Sequence, residues 1–216
     1  MKSEYEVMAQ EIRYCSKCPF RDPNIEPLFP VLPASPVFVM FVGENPSWAE
    51  GQDTPFAETT VSGQALEAHY LRPLGLTRDS VWITDLFKCR YPKSNYRAKA
   101  EHEKVIQEAA STCAHEWLLR EIELIRPRVL VTLSDKEVYQ RLRRAFHLPV
   151  PTRFREAAGK PYPVDLDGRK VTLFPMVHPD VSRLPGEGDQ RKKDTRQIWA
   201  PLHRDGHVPA LATLIY

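Results

Sequence analysis

Apolar and polar positions along the chain alternate between two periods, one near 2 residues and one near 3.6. Val37–Val42 (VFVMFV) is an unbroken apolar run of strand length, the pattern of a strand covered on both faces. Ser80–Asp85 (SVWITD), Arg128–Leu133 (RVLVTL) and Val171–Val177 (VTLFPMV) predict three more strands, the last weakened at its end by Pro175. Segments of helical period lie at Glu4–Tyr14, Gly63–Tyr70, Glu101–Ile125 (stopped by Pro127) and Asp194–His203. Ser134 and Glu137 read as an S-x-x-E capping box opening a further helix to about Phe146. The proline-studded stretch Pro19–Pro36 predicts a loop. Strands alternating with helices predict an α/β fold: a three-layer α/β/α sandwich around a central, mainly parallel, four-stranded sheet with right-handed crossovers. The length of 216 residues is compatible with a single domain, 1–216, with a cysteine-bearing segment at its N-terminus.

In such sheets ligands bind beyond the carboxyl ends of the strands. Gly43-Glu44-Asn45-Pro46 follows the first strand, Asp85 ends the second, Ser134 follows the third and His178-Pro179 the fourth. Taken singly, each polar residue is accounted for as a helix cap or a solvated loop residue, and Ser134 is best explained as a cap. Two carboxylates, an amide and an imidazole converging on one sheet edge instead point to an enzyme site, without naming its reaction.

Composition narrows the class. With 42% apolar and 27% charged residues the chain is not disordered, collagen-like or a coiled coil. No apolar run approaches the ~20 residues of a membrane helix, and the acidic, amphipathic N-terminus lacks the form of a signal peptide. These features predict a cytoplasmic protein. A formal charge of +2 requires any surface for a polyanion to be local. Twenty prolines against nine glycines predict rigid turns. Arg141, Arg143 and Arg144 read as ordinary helix surface.

Four cysteines without a secretory signal do not suggest disulfides. Cys15 and Cys18 form a C-x-x-C pair, with Cys89 and Cys113 far along the chain. Four thiolates close a tetrahedral zinc site or anchor a 4Fe–4S cluster, and the spacing is that of no standard zinc ribbon. Buried thiols account for the same residues, and Cys113 shares a helical face with Val105, Ala109 and Trp117.

Six segments in order resemble the uracil-DNA glycosylase superfamily, and most closely its family-4 iron–sulfur members. Cys15–Pro19 (CSKCP) resembles that family's N-terminal cysteine pair, and Phe41–Pro46 (FVGENP) its G-E-x-P-G motif. Thr54–Phe56 (TPF) with Gly63–Leu66 (GQAL) resembles its P-F-V-G-x-x-G-Q-L-L segment, and Val81–Cys89 (VWITDLFKC) its Y-I-T-N-V-V-K-C. Cys113 followed by Glu121–Val131 resembles the fourth cysteine, helix and third strand, and His178-Pro179 matches the H-P-S motif. The resemblance implies a 4Fe–4S cluster on Cys15, Cys18, Cys89 and Cys113. It implies His178 as donor to the leaving base's developing oxyanion and Phe56 as the stacking partner of a flipped base. It implies Glu44 or Asn45 as the group that positions water and offsets charge on the sugar. Glu44 is the family-4 feature, whereas Asn45 resembles the G-x-N-P motif of the thymine/mismatch and single-strand-selective glycosylases.

The departures bear on the substrate. Family-4 members carry Asn at the position of Asp85, where the amide reads the uracil edge. An ionised carboxylate only accepts hydrogen bonds; it repels O4 of uracil and suits the exocyclic amine of cytosine. A protonated Asp85 would instead donate to O4. The stretch from Ala57 to Ser62 is about two residues longer than the family pattern, Ser47 replaces a glycine, and the gap from Cys89 to Cys113 is longer than usual. Arg183, Arg191, Lys192 and Lys193 follow the His178 loop as DNA contacts, and Leu184 is the candidate wedge for the space a flipped base vacates. No lysine is expected in the apparent site motifs to form a Schiff base, so no lyase activity is expected. The expectation is a monomeric, monofunctional DNA glycosylase acting on a modified cytosine-type pyrimidine, for example in foreign DNA such as that of a phage. The alternatives are a uracil-DNA glycosylase of base excision repair and, in another class, a non-catalytic DNA-binding iron–sulfur protein.

Overall fold

The sheet is built by strands whose successive side chains enter two different cores. In β1 (Val39–Gly43), Val39 and Phe41 pack into one apolar cluster and Met40 and Val42 into the other. β2 (Val81–Asp85) divides likewise, with Val81 and Ile83 against Trp82, and β3 (Val129–Leu133) sends Val129, Val131 and Leu133 one way and Leu130 the other. Burial on both faces is why these segments are apolar throughout rather than alternating. The computed structural model describes residues 2–33, 36–47, 52–90, 100–182 and 190–216.

Helix α1 (Lys2–Arg13), α3 (Ala100–Cys113) and α4 (Leu119–Ile125) supply the core on one face, with α3 and α4 joined through a wider turn at Ala114–Leu118. On the other face, α2 (Val61–Leu66) runs on through Glu67–Leu71, and Leu66, Tyr70 and Leu71 pack with Val208 and Leu211 of the C-terminal helix. The result is the expected three-layer α/β/α arrangement. Within the described residues the sheet has five strands in the order β2-β1-β3-β5-β4, rather than the expected four. The additional strand is β4 (Tyr162–Leu166), antiparallel to β5 (Arg169–Met176). Its hairpin turns on Asp167 (φ 50°) and Gly168 (φ 90°), the positive-φ pair that an Asp-Gly turn favours. β1, β2, β3 and β5 are parallel. The chain passes from β1 to one neighbour and returns to the other, so the carboxyl ends beside β1 lie where an α/β sheet opens a crevice.

Two local expectations are corrected. Ser134 has φ 147° and caps no helix; its hydroxyl donates to Glu137 Oε2 at 3.3 Å, so the capping box does not form. The chain there enters a wide turn, Asp135–Tyr139, before α5 (Gln140–Ala145), which the short α6 (Phe154–Ala157) follows. Arg141 is not surface: its side chain is 3% exposed and pairs with Glu103 at 3.2 Å, tying α5 to α3. No helix among the described residues is long and apolar enough to cross a membrane.

Candidate functional site

Strand parity decides which polar residues meet. Asp85 shares the face of Val81 and Ile83, and Gly43 that of Val39 and Phe41. A Cβ on Gly43 would collide with both Asp85 Oδ1 and the Phe56 ring. The absent side chain at position 43 is therefore what lets a carboxyl and an aromatic ring close over the end of β1. Asp85 is 2% exposed and Phe56 7%. Phe56 holds φ 53°, a sparsely populated region for a bulky residue. Its conformation is set by a turn in which the Ala57 N–H donates to Thr54 O (3.2 Å) and both the N–H and the hydroxyl of Thr60 donate to Ala57 O (2.9 and 2.8 Å). Thr60 then accepts from the Gly63 N–H at 3.0 Å and caps α2. The long stretch after Phe56 lines a cavity of about 930 Å³ beside this turn, where Arg78 pairs with Glu58 (3.1 Å) and Glu67 (3.6 Å).

His178, half-buried, lies across from Phe56 with ring centroids 6.0 Å apart. The Asp180 N–H donates to His178 Nδ1 at 3.1 Å. In the neutral ring this assigns the proton to Nε2, making that nitrogen the donor. Two groups missed by sequence reasoning hold this loop. Arg196, in α8 (Gln190–Leu202), donates from Nε to Asp180 O and from Nη2 to Asp180 Oδ1, both at 2.9 Å. α7 (Pro179–Ser182) carries that aspartate. The Tyr70 hydroxyl donates to Val177 O, the carbonyl just before the histidine. Arg196→Lys keeps the charge and loses the fork, so it is expected to lower the single-turnover rate about tenfold with DNA affinity unchanged, measured by rapid-quench cleavage and by titration.

Glu44 and Asn45 follow β1 at the same edge, both half-buried. Asn45 Nδ2 donates to Pro46 O at 2.8 Å, and Asn45 Oδ1 is buried with no hydrogen-bond partner among the described residues. Arg183 and Leu184 lie outside the described residues. Arg191, Lys192 and Lys193 fall in the first turns of α8, and their side chains are outside the described ones.

The four cysteines are free thiols. Cys18 and Cys113 hydrogen-bond each other, which draws the Cys18 pKa down to about 6 and, with burial, pushes that of Cys113 up. Burial, followed by the negative charge of Cys18, pushes Cys89 up to about 12, and Cys15 also bears on it. The N-terminal pair thus stands beside Cys89 at the end of β2 and Cys113 at the end of α3. Among the described residues no group of three or more ligating side chains closes on a single metal ion. One zinc ion needs every sulfur about 2.3 Å from a common centre, whereas a 4Fe–4S cluster takes each thiolate at its own iron. Four thiols in one neighbourhood are donors of the type that both zinc and iron–sulfur clusters use.

Beneath the site, Lys88 and Glu121 form a buried ion pair at 2.8 Å, with side chains 2% and 0% exposed. An ionisable residue on the apolar face of a helix, as Glu121 is beside Leu118 and Ile122, was the available signal for it.

An aromatic ring with a buried carboxyl on one side and an imidazole across from it suits a flat heterocycle held by its edge, as in an enzyme that works on a nucleobase. The model of the Uracil DNA glycosylase superfamily matches residues 29–203, and the chain belongs to that superfamily. It is a DNA N-glycosylase, a hydrolase. It is 30% identical over 181 residues to the type-4 uracil-DNA glycosylase of Saccharolobus solfataricus, covering 81% of this chain and 74% of that protein. It is 31% identical over 194 residues to the type-4 enzyme of Archaeoglobus fulgidus, covering 88% and 89%. The Thermotoga maritima type-4 enzyme is 30% identical over 141 residues, covering 60% and 61%.

Proposed function

We propose that this protein is a monofunctional glycosylase that releases a flipped, modified cytosine-type pyrimidine from DNA and leaves an abasic site, with foreign DNA such as that of a phage as its target. One observation carries the reading: the base-edge position holds Asp85, buried against Gly43 and the Phe56 ring. An ionised carboxylate accepts from an exocyclic amine and repels a carbonyl oxygen. Restriction to a modified base follows from function, because release of ordinary cytosine would damage the host's own genome. The names of the relatives favour a second reading, in which a protonated Asp85 donates to O4 of uracil.

The remaining roles rest on the family resemblance, and the hydrogen bonds of His178 and Asn45 support two of them. Phe56 stacks on the base. His178 donates from Nε2 to the base carbonyl oxygen, a bond that strengthens as the leaving base gains negative charge. Asn45, its amide NH₂ engaged by Pro46 O, turns Oδ1 to accept from the attacking water. The Glu44 carboxylate offsets positive charge on the sugar. Lys88 is no Schiff-base candidate, since all three of its donors are used below the sheet edge. Arg183, Arg191, Lys192 and Lys193 contact phosphates and Leu184 fills the vacated stack. The enzyme acts as a single-domain, cytoplasmic monomer. Cys15, Cys18, Cys89 and Cys113 hold a 4Fe–4S cluster, which ties the N-terminal segment to β2 and α3.

Incubating the protein with duplexes carrying uracil, hypoxanthine, cytosine or modified cytosines, and detecting abasic sites, tests the substrate. Release confined to amino-bearing pyrimidines is expected, and release of uracil alone would establish the second reading. Single-turnover release also separates either enzyme from a non-catalytic DNA-binding protein. The purified protein is expected to be brown, with broad absorption near ~400 nm. Colourless protein holding stoichiometric zinc after anaerobic purification would overturn the cluster. Cys15→Ser should lower solubility and stability more than the rate of the chemical step.

A further inference from the structure

We propose that the buried Lys88–Glu121 pair is a specificity-determining positioning device, which fixes the Asp85–Leu86 peptide plane and thereby the edge that Asp85 presents to the base. The inference rests on the reading of Asp85 as the base-edge residue. The Lys88 ammonium has three donors, and each has an acceptor: Asp85 O at 2.7 Å, Thr84 Oγ1 at 2.8 Å and Glu121 Oε1 at 2.8 Å. Thr84 in turn donates to Glu121 Oε1 at 3.1 Å. Glu121 Oε2 has no partner among the described residues, so the carboxylate acts on the strand end through Oε1.

The peptide that follows Asp85 is therefore held from both ends. Its carbonyl takes the ammonium, and its N–H, on Leu86, donates to Gly43 O at 2.9 Å. The next N–H, on Phe87, donates to Glu44 O at 2.8 Å. With the strand before it held in the β1–β2 ladder, where Asp85 pairs with Gly43, a following peptide plane fixed at its oxygen and its nitrogen leaves the Asp85 Cβ direction little freedom, and Gly43 and Phe56 confine the carboxyl beyond it. Thr84 and Asp85 point to opposite faces of β2, so the pair grips the strand from the face away from the base. Lys88 also presents its own carbonyl to the Leu28 N–H at 3.0 Å and precedes Cys89, so the residue that orients Asp85 sits where the N-terminal loop and the cysteines meet.

Stability alone does not account for the pair. Well-packed apolar residues of similar volume commonly replace a buried ion pair without loss. What apolar side chains cannot do is hold a carbonyl in one place. Displacements on the scale of 1 Å at a reacting or reading group cost up to about 10² in rate.

The test is the double variant Lys88→Met/Glu121→Leu, assayed in single turnover on two duplexes that differ only in the amine or carbonyl at the base edge. The expected result is a discrimination ratio at least about tenfold smaller than wild type, with unchanged DNA affinity, melting temperature and ~400 nm absorption. A double variant with wild-type discrimination overturns the proposal. Should that variant fail to fold, Thr84→Val removes one anchor of the ammonium with little change in volume. A several-fold loss of discrimination at an unchanged spectrum supports the proposal, and none overturns it. Asp85→Asn, run in parallel, keeps the two ideas apart. If it leaves base preference unchanged, the reading of Asp85 fails; if it shifts preference while the Lys88, Glu121 and Thr84 variants do not, only the positioning role fails.

Discussion

Replacing His178 by alanine is expected to slow base release in single turnover by roughly 10²–10³, the scale of losing one donor to a developing oxyanion. The hydrogen bonding of the ring suits that proposed role. Its Nδ1 is engaged by the Asp180 N–H, which leaves the proton of the neutral imidazole on Nε2. Arg196 holds Asp180 by its carbonyl and its carboxylate, so the loop carrying the ring is pinned from α8. A hydrogen bond that strengthens only as the glycosidic bond breaks lowers the barrier without tightening ground-state binding. DNA affinity, measured by titration with an uncleavable duplex, should therefore stay within about twofold of wild type. An alanine variant that releases the base at the wild-type rate would make His178 a packing partner of Phe56 and no part of the chemistry.

Asp85→Asn is expected to reverse base preference. The carboxylate is almost wholly buried, so water cannot mask a mismatch between it and the base. Facing a carbonyl oxygen, it would forgo a hydrogen bond and repel the oxygen as well. An amide in the same place donates to that oxygen and accepts from the neighbouring N–H. The variant should gain release of uracil and lose release of the amino-bearing base, a combined change of about 10² or more. The second reading has its own signature. If Asp85 acts as a neutral donor, the wild type releases uracil and the rate falls as pH rises through its pKa, because deprotonation removes the donor and adds a repelling charge. Efficient release of uracil by the wild type with a flat profile from about pH 6 to 9 would contradict both and leave Asp85 a bystander.

The parts of the fold visible in the sequence are those whose environment is uniform along the segment. β1, β2, β3 and β5 are covered on both faces, and their apolar runs state this directly. β4 lies at the sheet edge, with Pro163 and Asp165 exposed, and offers no such run. Its signal was the Asp167-Gly168 pair between two alternating segments, a hairpin turn in two residues. Ser134 shows the opposite failure. The S-x-x-E spacing is present, but φ 147° turns the hydroxyl to the Glu137 carboxylate and away from the backbone donors it would have capped.

Sequence alone determined the layer architecture, the polar set at the carboxyl ends of the strands, and the family to which those motifs belong. Periodicity and motif order are local properties, and each residue carries its share of them. The tertiary structure decided everything that depends on two distant segments meeting. It brought Asp85 and Phe56 together over Gly43, where the lack of one Cβ is the enabling contact. It placed Arg141 and Lys88 inside, against Glu103 and Glu121, although a charged residue in a helix or turn ordinarily stays in water. A buried charge is tolerated only when it is paired, as Arg141 is with the partly exposed Glu103 and Lys88 with the fully buried Glu121. Nothing near Lys88 in the chain announces a glutamate 33 residues further on.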